Sequence, residues 1–247
     1  SITTWAANLN AKGKRFLSIF GGGTSDDIST AVTRSASINT DGSNDPNFVN
    51  LGCGTYTDTD LGTLSTAQLV PRIAGILADR SDRQNLTFAR LVGLDIATGA
   101  PSENQILTAI ANGVVVIARD SNATSPLRIE KGVTTYTTTT NADKPYSIYS
   151  SPKYLRTMHG IEMEITEWAE SNVIGRLPVT ADTRDYITST MKGLLQARED
   201  NGVLQPGWTV SIDSSPAPTS SDEFVALAYS LTFGRSLEQI LNTIVVG

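Results

Sequence analysis

Gly21-Gly22-Gly23 follows a short apolar run and leads into Thr24 and Ser25, and bare backbone amides in such a turn could cradle an anion or a nucleotide phosphate. The flanking residues argue against that use. A phosphate loop of the G-x-x-x-x-G-K-[ST] type needs a lysine, none follows here, and Asp26 and Asp27 bring negative charge to where phosphate would sit. A flexible turn is the favoured reading, and an α/β enzyme with an anion or nucleotide site at Gly21, Gly22 and Gly23 is the alternative from a different functional class.

Carboxylates offer a second possible chemistry. Glu162, Glu164, Glu167 and Glu170 could serve as paired acids for hydrolysis or as hard-metal ligands, but their spacing spreads them around a helix, mostly off its apolar stripe. A solvated helix face is the simpler reading. His159 is the only histidine, flanks that stripe, and has no G-x-S-x-G nucleophile to serve, so it reads as a surface or half-buried imidazole. Asp45, Asp58 and Asp60 lie among Thr and Gly without the order of a calcium loop. Cys53, between two glycines with no basic neighbour to lower its pKa, reads as a small packing residue. With one Cys and one His, zinc and Cys–His chemistry are excluded by count, and no catalytic residue, metal or cofactor is expected.

Composition narrows the partners. A lone cysteine forms no internal disulfide and suits a chain made in a reducing compartment. A net charge of −6 with scattered Lys and Arg disfavours direct nucleic-acid binding. The longest apolar stretches, such as 114–118, fall far short of the roughly 20 residues of a membrane span, and no signal-peptide pattern opens the sequence, so membrane insertion is not expected. Protein partners remain.

The elements that would position these residues follow from periodicity. Ile2, Trp5 and Leu9 have helical spacing, residues 14–20 read as a strand, and the Ser/Thr/Asn/Asp-rich stretch 26–45 reads as exposed and partly irregular. Residues 48–51 form an apolar run before the Gly52-Cys53-Gly54 turn. Residues 65–78 place Leu69, Ile73, Ile76 and Leu77 on one helix face, with Pro71 tolerated in a first turn and Gly75 marking close packing. Ser102 and Gln105 form a capping box, Ile106 and Ile110 the apolar face, and Gly113 suits the position after the helix. The run 114–118 that follows predicts a strand buried on both faces, and hence an α/β architecture, a mixed β-sheet packed with helices.

Residues 132–140 read as a Thr-rich strand. Tyr154, Met158, Ile161, Ile165 and Trp168 form a long helix stripe, and Ile187, Met191, Leu194 and Leu195 that of a further helix over 183–198, stopped by Gly202. After a Pro/Ser/Thr-rich loop with a short strand at 208–212, residues 224–233 alternate, with Val225, Leu227, Tyr229, Leu231 and Phe233 on one face. The sequence then reaches a second S-x-x-Q box at Ser236 and Gln239 and an apolar, β-prone run, Ile244-Val245-Val246. That run is either the last strand of the chain's own sheet or an arm that pairs with the sheet edge of a neighbouring subunit.

The ending Leu231-Thr232-Phe233-Gly234-Arg235-Ser236-Leu237-Glu238-Gln239-Ile240-Leu241-Asn242-Thr243-Ile244-Val245-Val246-Gly247 resembles the C-terminus of contractile bacteriophage tail sheath proteins. So do three other passages: Leu51-Gly52-Cys53-Gly54-Thr55 before the Ala/Gly-rich helix of residues 66–78, and Gly113-Val114-Val115-Val116-Ile117 with the later Gly132-Val133-Thr134-Thr135. Their shared order covers most of the chain from about residue 48. The resemblance implies a structural subunit that stacks as helical rings around a tail tube and contracts to drive genome ejection through the host envelope, with no catalytic residue or cofactor. It implies itself, the tube and the baseplate as partners, the virion tail as location, and the host cytoplasm as the place of assembly. Terminal arms join neighbouring subunits in that family, which makes Asn242, Thr243, Ile244, Val245, Val246 and Gly247 the expected interface. The sheath of a phage-derived injection machine such as a pyocin fits equally. Family members are usually longer at the front, so 1–247 is expected to be one sheath-like region, a truncated N-terminal part (1–47) and a core (48–247).

Overall fold

The computed structural model describes residues 4–5, 8–9, 14–40, 46–52, 54–98, 100–119, 125–138, 145–213 and 226–233. The chain divides into two compact units, Ser1–Arg156 and Thr157–Gly247. The first unit holds β1 (Ser18–Phe20), α1 (Ile28–Thr40), β2 (Phe48–Leu51), β3 (Thr55–Asp58), β4 (Gly62–Ser65), α2 (Thr66–Asp79), β5 (Arg90–Leu91), β6 (Leu94–Thr98), α3 (Glu103–Ala111), β7 (Val114–Val115), β8 (Ile117–Ala118), β9 (Leu127–Ile129) and α4 (Tyr146–Tyr149). Near its end α5 (Pro152–Asn172) begins, and the second unit adds α6 (Ala181–Asp200), β10 (Thr209–Asp213) and β11 (Ala226–Ser230).

The first unit is built on a parallel sheet of order β1-β2-β7, with Ser18 opposite Phe48 and Asn50 opposite Val114. Strand alternation divides its side chains between two layers. Val49, Leu51 and Val115 join Leu69, Ile73 and Leu77 of α2, whereas Val114, with Val116 just past β7, joins Ile28 and Ala31 of α1 and Ala109 of α3. Asn50 belongs to the α1 side and is fully buried because α1 satisfies it: its Nδ2 donates to Ala31 O at 2.8 Å and its Oδ1 accepts from Arg34 Nε at 2.9 Å. Burying a side chain such as Ile73 completely is worth about 1.5–3 kcal/mol, which is the scale that fixes α2 on the sheet. The expected α/β architecture with helices packed on a mixed set of strands is what the chain adopts.

Several local expectations need correction. Residues 28–40 are helical rather than irregular: Ile28, Ala31, Ser35 and Ile38 are buried at helical spacing, so small residues let α1 approach the sheet. The run 114–118 is two strands in two sheets, β7 beside β2 and β8 beside β9, joined through Val116, whose carbonyl accepts from Glu130 N at 2.9 Å. Residues 132–136 are buried but form no ladder: Thr134 N donates to Ser150 O at 2.8 Å, outside any strand, and Thr135 N reaches Phe48 O, at the start of β2, at 2.9 Å. Pro71 lies inside α2, beyond its first turn, and a Cβ on Gly75 would meet nothing within 4 Å, so neither first-turn placement nor close packing applies.

Other readings hold. Ser65 with Gln68, and Ser102 with Gln105, form complete capping boxes, and Gly113 takes φ of +70° just past α3. In the second unit α5 and α6 form a hairpin in which Arg198 Nη2 donates to Glu164 Oε2 at 2.6 Å and the Trp168 and Tyr186 rings lie 5.8 Å apart. Ile187, Met191 and Leu195 are the buried stripe of α6, and Gly202, φ +67°, follows its end. The strand expected over 224–233 needs correction: among the described residues it runs over Ala226–Ser230, and of the set expected on one buried face Leu227 and Leu231 are half-buried, Tyr229 is exposed, Phe233 is buried, and Val225 lies outside the described residues. Among the described residues no helix is long and apolar enough to cross a membrane.

Candidate assembly surface

The glycine turn is closed by the start of α2. Gly22 N donates to Thr66 Oγ1 at 2.8 Å, and Gly22 O accepts from that hydroxyl at 3.2 Å and from Ala67 N at 3.0 Å. The carbonyl therefore meets one of the amides that a helix start leaves unpaired. A Cβ on Gly21 would lie 2.5 Å from Thr66 C, and one on Gly22 would run into Asp26 and Arg34, which form an ion pair there. Gly21 is required by its packing against backbone, Gly22 meets side-chain ends, a Cβ on Gly23 would meet nothing within 4 Å, and the Gly22 amide that an anion would need is spent on Thr66.

The acidic candidates are likewise dispersed into structural contacts. Thr30 N and Thr30 Oγ1 each donate to Asp27 Oδ1 at 2.7 Å, capping α1 and holding this carboxyl below its ordinary pKa, chiefly through the amide. Asp58 Oδ1 accepts from the amides of Asp60 at 2.9 Å and Leu61 at 3.1 Å, which close the β3–β4 turn and lower its pKa, and Arg72 lies 3.4 Å away. Glu162 and His159 are half-buried in α5, Glu164 is tied to Arg198, and Glu167 and Glu170 face solvent, so the glutamates do not converge. Among the described residues no group of three or more His, Cys, Asp or Glu could hold a metal ion. Asp45 and Cys53 lie outside the described residues.

The second unit offers a different surface. β10 and β11 pair antiparallel from Thr209 opposite Ser230 to Asp213 opposite Ala226, and the ribbon continues through Gln205 N, which donates to Thr232 O at 2.7 Å, and a Leu204–Phe233 bridge. Among the described residues it has two strands, so each presents an outer edge with no strand beside it. Beside the ribbon, α5, the 173–180 connection, α6 and Leu227 enclose an apolar groove of about 380 Å³ lined by Ile165, Trp168, Val173, Leu177 and Ile187. Met163, Ile174, Leu177 and Tyr186 are exposed in the same unit. The groove was not legible from single-helix periodicity, although Ile174 and Leu177, in the connection between the two helices, were its signal. The expected interface residues Asn242, Thr243, Ile244, Val245, Val246 and Gly247 lie outside the described residues.

No protein-family model matches the sequence, and no curated protein matches it. Solved structures do. The sheath tail protein of Desulfitobacterium hafniense superposes with a TM-score of 0.68 at 14% identity, over 94% of this chain and 52% of its own. The sheath tail protein Lin1278 of Listeria innocua gives 0.60 at 18% identity, over 91% and 58%. The PVC sheath complex of an extracellular contractile injection system, in its contracted state, gives 0.73 at 16% identity, over 99% and 68%. The chain thus has the fold of these sheath proteins, as the resemblance implied, and it spans about half to two-thirds of their length.

Proposed function

We propose that the chain is a structural subunit of a contractile sheath, one that polymerises as helical rings around a tail tube and contracts to drive the tube through an envelope. The observation that carries this reading is the sheath fold extending over 91% to 99% of the chain. Among the described residues the β10–β11 ribbon has no third strand, which supports it physically, because unpaired strand edges are templates for another chain. In this reading 1–247 is one sheath-like region and Asn242, Thr243, Ile244, Val245, Val246 and Gly247 form an arm that pairs with a neighbouring subunit. Its partners are further copies of itself, the tube and the baseplate, with no direct nucleic-acid contact. It works in a tail-like particle and assembles in the host cytoplasm. It performs no catalysis, and the commitment of the Gly22 amide to Thr66 counts against the nucleotide-site alternative.

A virion tail and a phage-derived injection machine such as a pyocin fit this fold alike, since a sheath tail protein and an injection-system sheath superpose on it at TM-scores of 0.68 and 0.73. Genomic neighbours discriminate the two, since a capsid operon accompanies only the virion tail. Electron microscopy of the full-length gene product tests the shared reading: tubes or stacked rings are expected, and dispersed monomers under all conditions overturn it. Deleting residues 242–247 is expected to leave a folded monomer that no longer assembles, since a helical lattice needs heterologous contacts on both sides of each subunit. Unfolding on deletion would instead make the run an intrachain strand.

A further inference from the structure

Phe88 has φ of +57°, the one positive value at a non-glycine among the described residues. A bulky aromatic enters that region only where its surroundings impose it. The constraint is visible here. Leu86 and Ala89 are buried on either side, Phe88 N donates to Ile129 O at 2.7 Å, Ile129 N donates to Ala89 O at 3.0 Å, and Gly132 N donates to Thr87 Oγ1 at 3.1 Å. The segment is pinned and the ring is turned outward, 48% exposed.

Two arginines complete the patch. The Arg128 guanidinium lies 4.5 Å from the Phe88 ring centroid, and Arg90 stands directly opposite Arg128 in the β5–β9 register. Like charges directly opposed across strands repel. Arg128 also reaches Glu130 at 3.1 Å, whereas exposed Arg90 has no ion-pair or hydrogen-bond partner among the described residues. Phe88, in a strained backbone, and Arg90 beside it stand exposed, while Arg128 between them is held by Glu130.

A complementary set lies on α5 of the second unit. Met163, Glu167 and Glu170 are spaced four and three apart, hence on one helix face, and all three are exposed. Neither Glu167 nor Glu170 has an ion-pair partner among the described residues, while Glu164 beside them is held by Arg198. The dimensions agree: residues opposite each other across strands have Cβ atoms about 5 Å apart, and residues three apart on a helix about 5–6 Å. Two guanidiniums then meet two carboxylates in register, and a thioether reaches the aromatic ring.

We infer that Phe88, Arg128 and Arg90 of one copy dock on Met163, Glu167 and Glu170 of a second copy, in that order. The contact joins unlike surfaces, so it propagates through a lattice rather than closing a dimer. It rests on the assembly reading above and names one of the faces that reading requires.

A charge swap on the full-length chain tests it, with assembled material measured by sedimentation and electron microscopy and folding checked by circular dichroism. Arg90→Glu alone and Glu170→Arg alone are each expected to weaken assembly about tenfold or more, since each sets like charges against one another, and the double variant is expected to recover most of it. If the wild-type chain assembles and both single variants assemble equally well, or if the double variant is no better than the worse single one, this contact is overturned while the assembly reading stands. A wild-type chain that never assembles overturns both.

Discussion

The glycine turn at Gly21, Gly22 and Gly23 suggests, in sequence, bare amides offered to a phosphate, whereas residues 224–233 of the β10–β11 ribbon suggest a strand with one apolar face. The structure separates them by where their backbone groups go. Gly22 exchanges both of its groups with Thr66 and Ala67 at the start of α2, while the ribbon, among the described residues, has a strand on only one side of each member. Backbone already paired is architecture, and backbone still open is a place to bind. Residue type alone does not tell the two apart.

The largest test of this contrast is Gly21→Ala. A Cβ there would stand 2.5 Å from Thr66 C and 2.6 Å from Ala67 N, backbone atoms of a capped helix that cannot rotate away. We expect a loss of about 2–3 kcal/mol in urea unfolding, the upper part of the usual range for overpacking, because the wall is backbone. Unchanged stability would mean the turn is loose and its amides available after all. Ser65→Ala probes the same junction more gently. It removes the oxygen that accepts from Gln68 N but leaves the Gly22 contacts in place, so about 1 kcal/mol is expected, measured the same way. A loss as large as that of Gly21→Ala would show that the cap, and not the glycine packing, holds the turn shut.

How far the sequence reveals the fold depended on whether a signal was local. Capping boxes are complete within four residues, so Ser102 with Gln105 announced α3, and the stripe of Ile187, Met191 and Leu195 announced α6. α1 was hidden because its buried positions include Ala31 and Ser35, which read as polar or neutral until Asn50 and the sheet are seen against them. The buried 132–136 passage looked like a strand because Thr and Val favour extended backbone, yet its amides find partners at Ser150 and Phe48 from distant parts of the chain. The surface features were least legible. The outward turn of Phe88 depends on Ile129 and Gly132, some forty residues later, and no period or motif at Phe88 itself encodes it.

The smallest expected effect falls on the open side of the comparison. Tyr229 sits opposite Val210 in the ribbon and is 37% exposed, so Tyr229→Ser gives up one cross-strand pair and the partial burial of a ring at the surface. We expect about 0.5 kcal/mol by denaturant unfolding of the monomer. Assembly should persist, because an edge pairs through main-chain N–H and C=O groups that the substitution leaves intact. A cost above about 2 kcal/mol, the range of buried aromatic truncation, would mean that part of the chain itself already covers this face. The ribbon would then be closed like the glycine turn, and the apolar run Ile244-Val245-Val246 would belong to its own subunit rather than to a neighbour.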